Sequence, residues 1–203
     1  MFSPSSLCLT LSSRLSFLVI CVIRLITISD AATAGVVKYG NLHFPAAVGR
    51  GGVRALKREG DGATPLGFWP AIQVYYRPDR VKRLRTALPI APLREDFGWC
   101  DAPGDRNYNR RVTMPYAASA EELWRTDGLY DAIMVLDYNA TRRTGGRGSA
   151  IFVHVARSGF APTEGCIALK REHLLRLLAA LPHNAVFALG RTVNRPTRRS
   201  SPL

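Results

Sequence analysis

The feature that most constrains this fold is a series of short apolar runs, rich in β-branched and aromatic residues and separated by Gly and Pro. Such runs are typical of strands, because they are too short for most helices and pack well on a pleated surface. The runs are residues 36–39, 42–48, 68–76, 132–136, 150–155 and 185–189. Gly40-Asn41 joins the first two as a hairpin turn. This pattern predicts a sheet-rich domain.

Two segments favour helix instead. Residues 171–181 carry leucines on one helical face and end at Pro182, which predicts the clearest helix of the chain. Ser119 and Glu122 have capping-box spacing and predict a short helix over 119–124. The segment 77–118 is rich in proline and charge and is interpreted as mostly loop.

The chain ends differ from this central domain, which we predict at residues 25–189. Residues 1–24 form an apolar leader, and the run 15–23 has the length of a signal-peptide core, with small residues before Gly35 for cleavage. An uncleaved leader or a misplaced start codon are the alternatives, and residues 25–28 also fit a first strand. Residues 190–203 are interpreted as a basic flexible tail.

The formal net charge of +13 is supplied mostly by arginine. A basic surface could attract nucleic acid, anionic lipid or anionic wall polymer, but solvated arginines in an arginine-rich proteome are the favoured explanation. No motif for nucleic-acid binding is visible, so no nucleic-acid partner is expected.

One His and one Cys stand where a strand and a turn could bring them together. His154 lies in the run 150–155 and precedes Cys166 by 12 positions, and Gly165 comes directly before the cysteine. A cysteine nucleophile needs a base within hydrogen-bond reach, and the N–H groups of Gly165 and Cys166 would suit an oxyanion hole. A lone core cysteine and a structural histidine are the plainer interpretation. Spacing alone does not decide between them.

The segment 151–169 resembles the signature of the L,D-transpeptidase (YkuD-type) catalytic domain. In that family a strand-borne His is followed by a loop and by Ser/Thr-His-Gly-Cys. Thr163, Gly165, Cys166, Ile167 and Leu169 match this signature. Residues 61–67 resemble the family's Thr-Pro-x-Gly turn, and residues 98–101 and 108–109 resemble a compact bacterial branch. Glu164 and Val155 depart from the usual His and Gly or Ser.

The resemblance implies a mostly β fold, a mixed β-sandwich with one or two short helices. It implies a transferase that takes its acyl group from a peptidoglycan stem peptide through a thioester on Cys166, with His154 handling the proton. It implies no metal or organic cofactor. Carbapenem-type β-lactams are the expected covalent inhibitors, and the cell envelope or periplasm is the expected location.

Further candidates for substrate binding are Trp99, Asp101, Tyr108, Asn109, Thr163 and Glu164. Trp99 and Tyr108 fit equally well as residues that only pack against the sheet. Cys100 is expected to be a buried structural thiol, and a disulfide to Cys166 would block catalysis. Glu164 has three alternatives: it approaches His154, it approaches the Cys166 sulfur, or it points to solvent. The first is favoured, because the sequence offers no other obvious third member.

Two other functions stay open. A cysteine hydrolase or amidase on the same scaffold would resolve the thioester with water. A non-catalytic module would hold anionic wall polymer through its basic surface. The sequence does not indicate an oligomeric state.

Overall fold

The computed structural model describes residues 21–27 and 29–191. The strands are β1 (Val22–Thr27), β2 (Ala34–Tyr39), β3 (Leu42–Ala47), β4 (Val53–Arg54), β5 (Thr64–Pro65), β6 (Gly67–Tyr76), β7 (Ile90–Pro92), β8 (Phe97–Cys100), β9 (Arg110–Thr113), β10 (Ala120–Glu122), β11 (Ala132–Leu136), β12 (Phe152–Val155), β13 (Ile167–Leu169) and β14 (Val186–Arg191). One α-helix, α1, spans Arg171–Ala180 in these residues. The predicted mostly β class is confirmed.

The main sheet has nine strands in the order β11-β12-β13-β3-β2-β1-β14-β6-β7, and β11 also pairs with β6. This additional pairing closes eight strands into a barrel-like ring. The ring is mixed, because β12 and β13 run parallel, as do β1 and β14, while its other neighbours are antiparallel. Gly40, with φ of +54°, turns the predicted hairpin between β2 and β3.

Strands β11 and β12 are buried on both faces, which explains their unbroken apolar sequences. On one face Met134 and Val153 join a core that includes Leu174, Leu177 and Leu178 of α1. On the other face Ile133, Val135 and Phe152 pack with Trp99, Leu123 and Tyr130. The predicted helix is therefore confirmed as the cover of the first core.

A second sheet covers the other face of β11 and β12. It consists of β10, β8 and β9, in that order, and is antiparallel. The predicted helix at 119–124 is wrong, because residues 120–122 pair with β8 instead. The segment 77–118, predicted to be mostly loop, also holds the short strands β7, β8 and β9.

The predicted strand at residues 25–28 is confirmed over residues 25–27, and it starts earlier, at Val22. β1 lies between β2 and β14 in the ring, with Ile23 and Leu25 buried. Residues 1–20 of the predicted leader and residues 192–203 of the predicted tail lie outside the described residues. No helix within the described part of the chain is long and apolar enough to cross a membrane.

Candidate active site

Two parallel neighbouring strands bring His154 and Cys166 together. His154 of β12 pairs with Ala168 of β13, and Val153 pairs with Ile167. Continuing this register by one residue places Cys166 beside Phe152. Side chains alternate between the two faces of a sheet, so Cys166 and His154 share one face as diagonal neighbours. The predicted pair therefore lies on one wall, in the cavity described below.

A tight turn delivers the cysteine to the start of β13. The Thr163 hydroxyl donates a hydrogen bond to the Cys166 carbonyl at 2.6 Å and accepts one from the Gly165 N–H at 3.2 Å. Gly165 has φ of +128°, and a Cβ there would lie 2.7 Å from the Ala63 carbonyl oxygen. Only glycine fits this position without strain. Thr163, a predicted substrate residue, thus holds the turn of the nucleophile.

The second matching motif supports the same turn. The Thr64 hydroxyl, in the Thr-Pro-x-Gly segment, lies 3.5 Å from the Cys166 carbonyl oxygen and accepts a hydrogen bond from the Gly49 N–H at 2.9 Å. Thr64 is fully buried. The two motifs, about a hundred residues apart in sequence, therefore form one structural unit around the cysteine.

The Cys166 thiol has two backbone partners. Sγ donates to the Ala150 carbonyl oxygen at 3.1 Å and accepts from the Phe152 N–H at 3.3 Å. Burial, with a smaller contribution from the Glu121 carboxylate, raises the pKa of the thiol to about 12, although the Phe152 N–H and Lys57 oppose the shift. The resting nucleophile is therefore a neutral thiol.

His154 is buried, with 7% of its surface exposed. Burial lowers its pKa to about 4, so the ring is neutral at physiological pH. Its Nδ1 lies 2.8 Å from the Val155 carbonyl oxygen, which can only accept a hydrogen bond. Nδ1 therefore carries the proton in the neutral ring, and Nε2 is the free base.

His154 and Cys166 line a cavity of about 200 Å³ that lies between the barrel-like ring of strands and the small sheet. The Tyr130 ring meets the His154 ring edge-on at 5.4 Å between centroids, and its hydroxyl donates to Glu121 at 2.6 Å. Burial raises the pKa of the Glu121 carboxyl. The cavity is lined by Glu59, Asp101, Glu121, Arg125, Leu129, Tyr130, Ser149, Ala150, His154, Arg157, Ala161, Pro162, Thr163, Glu164, Cys166 and Ala168.

Sequence reasoning missed Tyr130, Glu121, Arg125 and Arg157. Two of them, Glu121 and Arg125, lie in or just after the segment misinterpreted as a helix. Tyr130 offered a signal, because a tyrosine two residues before a buried strand is well placed to reach the end of the sheet.

Of the predicted substrate residues, Asp101, Thr163 and Glu164 line the cavity, whereas Trp99, Tyr108 and Asn109 do not. Those three are buried, with 6%, 3% and 2% of their surface exposed. Trp99 packs edge-on against Phe152, at 5.1 Å between ring centroids. These three residues lie behind the cavity wall. For Trp99 and Tyr108, this is the packing alternative predicted from the sequence.

Glu164 follows the third of its predicted alternatives and points to solvent. Its carboxylate accepts from Nε of Arg50 at 2.7 Å and 2.9 Å, and 75% of the Glu164 side chain is exposed. The favoured approach to His154 is therefore wrong: the partner of that ring is a backbone carbonyl. Glu164 stays at the rim of the cavity because Nε of a nearby surface arginine contacts both of its carboxylate oxygens at little desolvation cost.

Cys100 is fully buried and free, and so is not bonded to Cys166. Burial raises the pKa of its thiol, and it lies at the end of β8 between Ala120 and Arg110. This environment fits the predicted structural thiol.

Comparison with known proteins gives one family. Residues 24–194 match the L,D-transpeptidase catalytic domain, YkuD. No curated protein matches the chain. The match covers the ring except for the first two residues of β1, together with the small sheet, α1 and both motifs around the cysteine. This chain belongs to the L,D-transpeptidase catalytic domain family.

Proposed function

We propose that this protein is a cysteine-dependent L,D-transpeptidase, with Cys166 as nucleophile, His154 as general base and the third-residue carbonyl of a peptidoglycan stem peptide as its target. The family acts on peptidoglycan peptides. The observation that carries the proposal is the shared face of Cys166 and His154 in one cavity, with Nε2 of His154 left unprotonated.

The reaction starts from a neutral thiol and a neutral imidazole. The thiol sulfur attacks the carbonyl carbon while His154 Nε2 takes the thiol proton. We expect the Cys166 N–H to stabilise the resulting oxyanion. The Gly165 N–H, predicted from the sequence to act beside it, already donates to the Thr163 hydroxyl. When the tetrahedral intermediate collapses, the C–N bond breaks, and the departing D-amino acid takes the proton from His154. The product is a thioester on Cys166.

An amine then resolves the thioester. Its nitrogen attacks the thioester carbonyl and gives a proton to His154, and the C–S bond breaks as the sulfur recovers a proton. Asp101, Glu59 and Glu121 line the cavity, and the Asp101 Oδ1 atom is buried without a hydrogen-bond partner among the described residues. These carboxyl groups attract an amine acceptor in its ammonium form, which releases one proton to solvent before its nitrogen attacks.

The cavity mouth also suits an acyl donor that carries a negative charge. Arg157 is exposed, lines the cavity and forms no ion pair with any described residue. A stem peptide ends in a carboxylate that an unpaired guanidinium binds well. Because this substrate lies outside the cytoplasm, we also propose a location in the cell envelope.

The decisive experiment incubates the protein with purified tetrapeptide muropeptides and an isotope-labelled D-amino acid, followed by mass spectrometry. We expect labelled tetrapeptide from the wild type and none from Cys166→Ala. Tripeptide alone would indicate a hydrolase that uses water as acceptor. The absence of both products in the folded wild type would refute acyl transfer.

A further inference from the structure

The segment before β12 is held by two neighbouring residues of the loop after β8. The Tyr108 hydroxyl accepts a hydrogen bond from the Gly148 N–H at 3.0 Å. Asn109 Oδ1 accepts one from the Ala150 N–H at 2.9 Å. Residues 148–150 are thus bound from outside the main sheet, just where the chain reaches the Cys166 thiol.

Asn109 uses its whole side-chain amide in these contacts. Besides the Ala150 N–H, its Oδ1 accepts from Trp99 Nε1 at 2.9 Å. Its amide nitrogen donates to the Tyr138 carbonyl at 3.0 Å and the Asn139 carbonyl at 2.7 Å. A buried amide with all four bonds made has one orientation, because any rotation leaves a polar atom unpaired.

The backbone at both ends of the Asn109–Ala150 contact is in the left-handed region. Asn109 has φ of +56° and Ala150 has φ of +51°. Asparagine adopts this conformation readily, whereas alanine adopts it at a cost and only where its surroundings hold it. The hydrogen bond that the Ala150 N–H donates to Asn109 supplies that restraint, and the Ala150 carbonyl then accepts from Cys166 Sγ at 3.1 Å.

We propose that Asn109 is a positioning residue for acyl transfer, which fixes the Ala150 carbonyl and thereby sets the orientation of the Cys166 thiol toward an incoming carbonyl. Its importance for turnover rests on the proposed function, whereas its effect on the thiol does not. Asn109 touches no substrate and acts through the backbone of Ala150.

The test replaces Asn109 by glycine, which keeps the left-handed backbone and removes all four side-chain bonds. Tyr116→Phe is the matched control. The Tyr116 hydroxyl bonds Asn107 and Asp105 in the same loop, each at 2.8 Å, and has no contact with Ala150. Alkylation of Cys166 by iodoacetamide is followed against pH by peptide mass spectrometry, and acyl transfer is measured in parallel.

In Asn109→Gly, the Ala150 acceptor no longer stabilises the protonated thiol, so the midpoint for alkylation should fall by about half to one pH unit. Turnover should fall by about 10- to 100-fold with KM within about twofold, because the reacting groups lose alignment. Tyr116→Phe should keep both values. An unchanged midpoint in Asn109→Gly, or an equal shift in Tyr116→Phe, overturns the proposal.

If Asn109→Gly does not fold, hydrogen exchange on the wild type decides. The Ala150 amide should be protected, and it should stay protected after Cys166 is alkylated, because Asn109 rather than the thiol holds it. Rapid exchange overturns the proposal. If the wild type transfers no acyl group but the alkylation midpoints behave as expected, the proposed function fails and the positioning of the thiol stands.

Discussion

At the residue scale, the roles of the two central cysteines are separable. Cys166→Ala should lower both exchange and hydrolysis by at least about a thousandfold, because the thioester cannot form. Cys100→Ala should keep most of the activity and lose about 1–2 kcal/mol of stability, because it removes a buried sulfur from behind the cavity. Activity assays and melting curves on both variants test this. Equal loss of activity in two folded variants would contradict the assignment.

The lowered pKa of His154 predicts how the stability of the protein depends on pH. Its pKa is lowered from 6.5 to about 4, so the unfolded chain binds more protons than the native one between these values. The free energy of unfolding should therefore fall as the pH drops from 6.5 toward 4, by about 3 kcal/mol from this group. It should be fully restored above pH 6.5.

Urea denaturation of the wild type and of His154→Gln at several pH values isolates this contribution. The difference between the two proteins should grow with pH up to about 6.5 and then stay constant. The acid limb of kcat/KM should also lie well below pH 6, because the base is already neutral there. A difference that is independent of pH would show that burial does not lower this pKa.

The surface position of Glu164 predicts a small effect. Glu164→Gln removes an exposed ion pair with Arg50, and such pairs contribute less than about 1 kcal/mol. Neither limb of the pH profile of kcat/KM should move, and stability should change little. Arg50→Gln is the matched variant and should behave alike. A shift of the alkaline limb in Glu164→Gln alone would restore a catalytic role for the carboxylate.

At the scale of elements, the position of β1 bears on whether the predicted leader overlaps the folded domain in sequence. Cleavage before Gly35 would remove a strand that lies between β2 and β14 and buries Ile23 and Leu25. Each buried side chain of this kind contributes about 1.5–3 kcal/mol, a large share of a typical domain's stability. A chain that starts at residue 35 should therefore show no cooperative thermal transition.

A chain that starts at residue 21 keeps β1 whole and is the control. It should unfold cooperatively, and circular dichroism against temperature compares the two. A stable domain starting at Gly35 would show that the remaining strands close without β1.

The sequence predicted those elements whose pattern depends only on local burial. The run 132–136 is buried throughout, and the helix after Lys170 turns its leucines toward one core. The helix predicted over residues 119–124 is wrong, because a capping box gives only a weak helix preference and the pairing of Glu121 with Trp99 overrides it. The wall of the cavity could not be predicted for the same reason: it depends on which strands pair.

The candidate pair was predictable because His154 and Cys166 belong to one continuous segment. The residues around them come from distant parts of the chain. Nothing in the pattern near Asn109 distinguishes an amide that faces substrate from one that is buried and bonded four times. That distinction depends on Tyr138, Asn139 and Ala150, which only the fold brings to it.

At the scale of the whole molecule, the cavity and the neutral thiol predict covalent inhibition. A carbapenem offers a strained carbonyl to Cys166, and ring opening leaves the acyl group attached without an easy departing amine. Intact mass spectrometry should show one adduct, with a mass increase equal to one inhibitor molecule, and none on Cys166→Ala. An active protein without the adduct would indicate a donor site that excludes the bicyclic ring.

The additional pairing of β11 with β6 has a consequence for how peptides are bound. Within the described residues it gives each of the eight ring strands a neighbour on both sides, although β13 pairs with β3 only at Ala46 and Ala47. No ring strand therefore offers a whole free edge for strand addition, in which a uniform L-peptide backbone continues the ladder. We expect recognition to come mainly from side chains at the cavity mouth. Such a surface tolerates residues of either chirality, which a hydrogen-bonded ladder would reject.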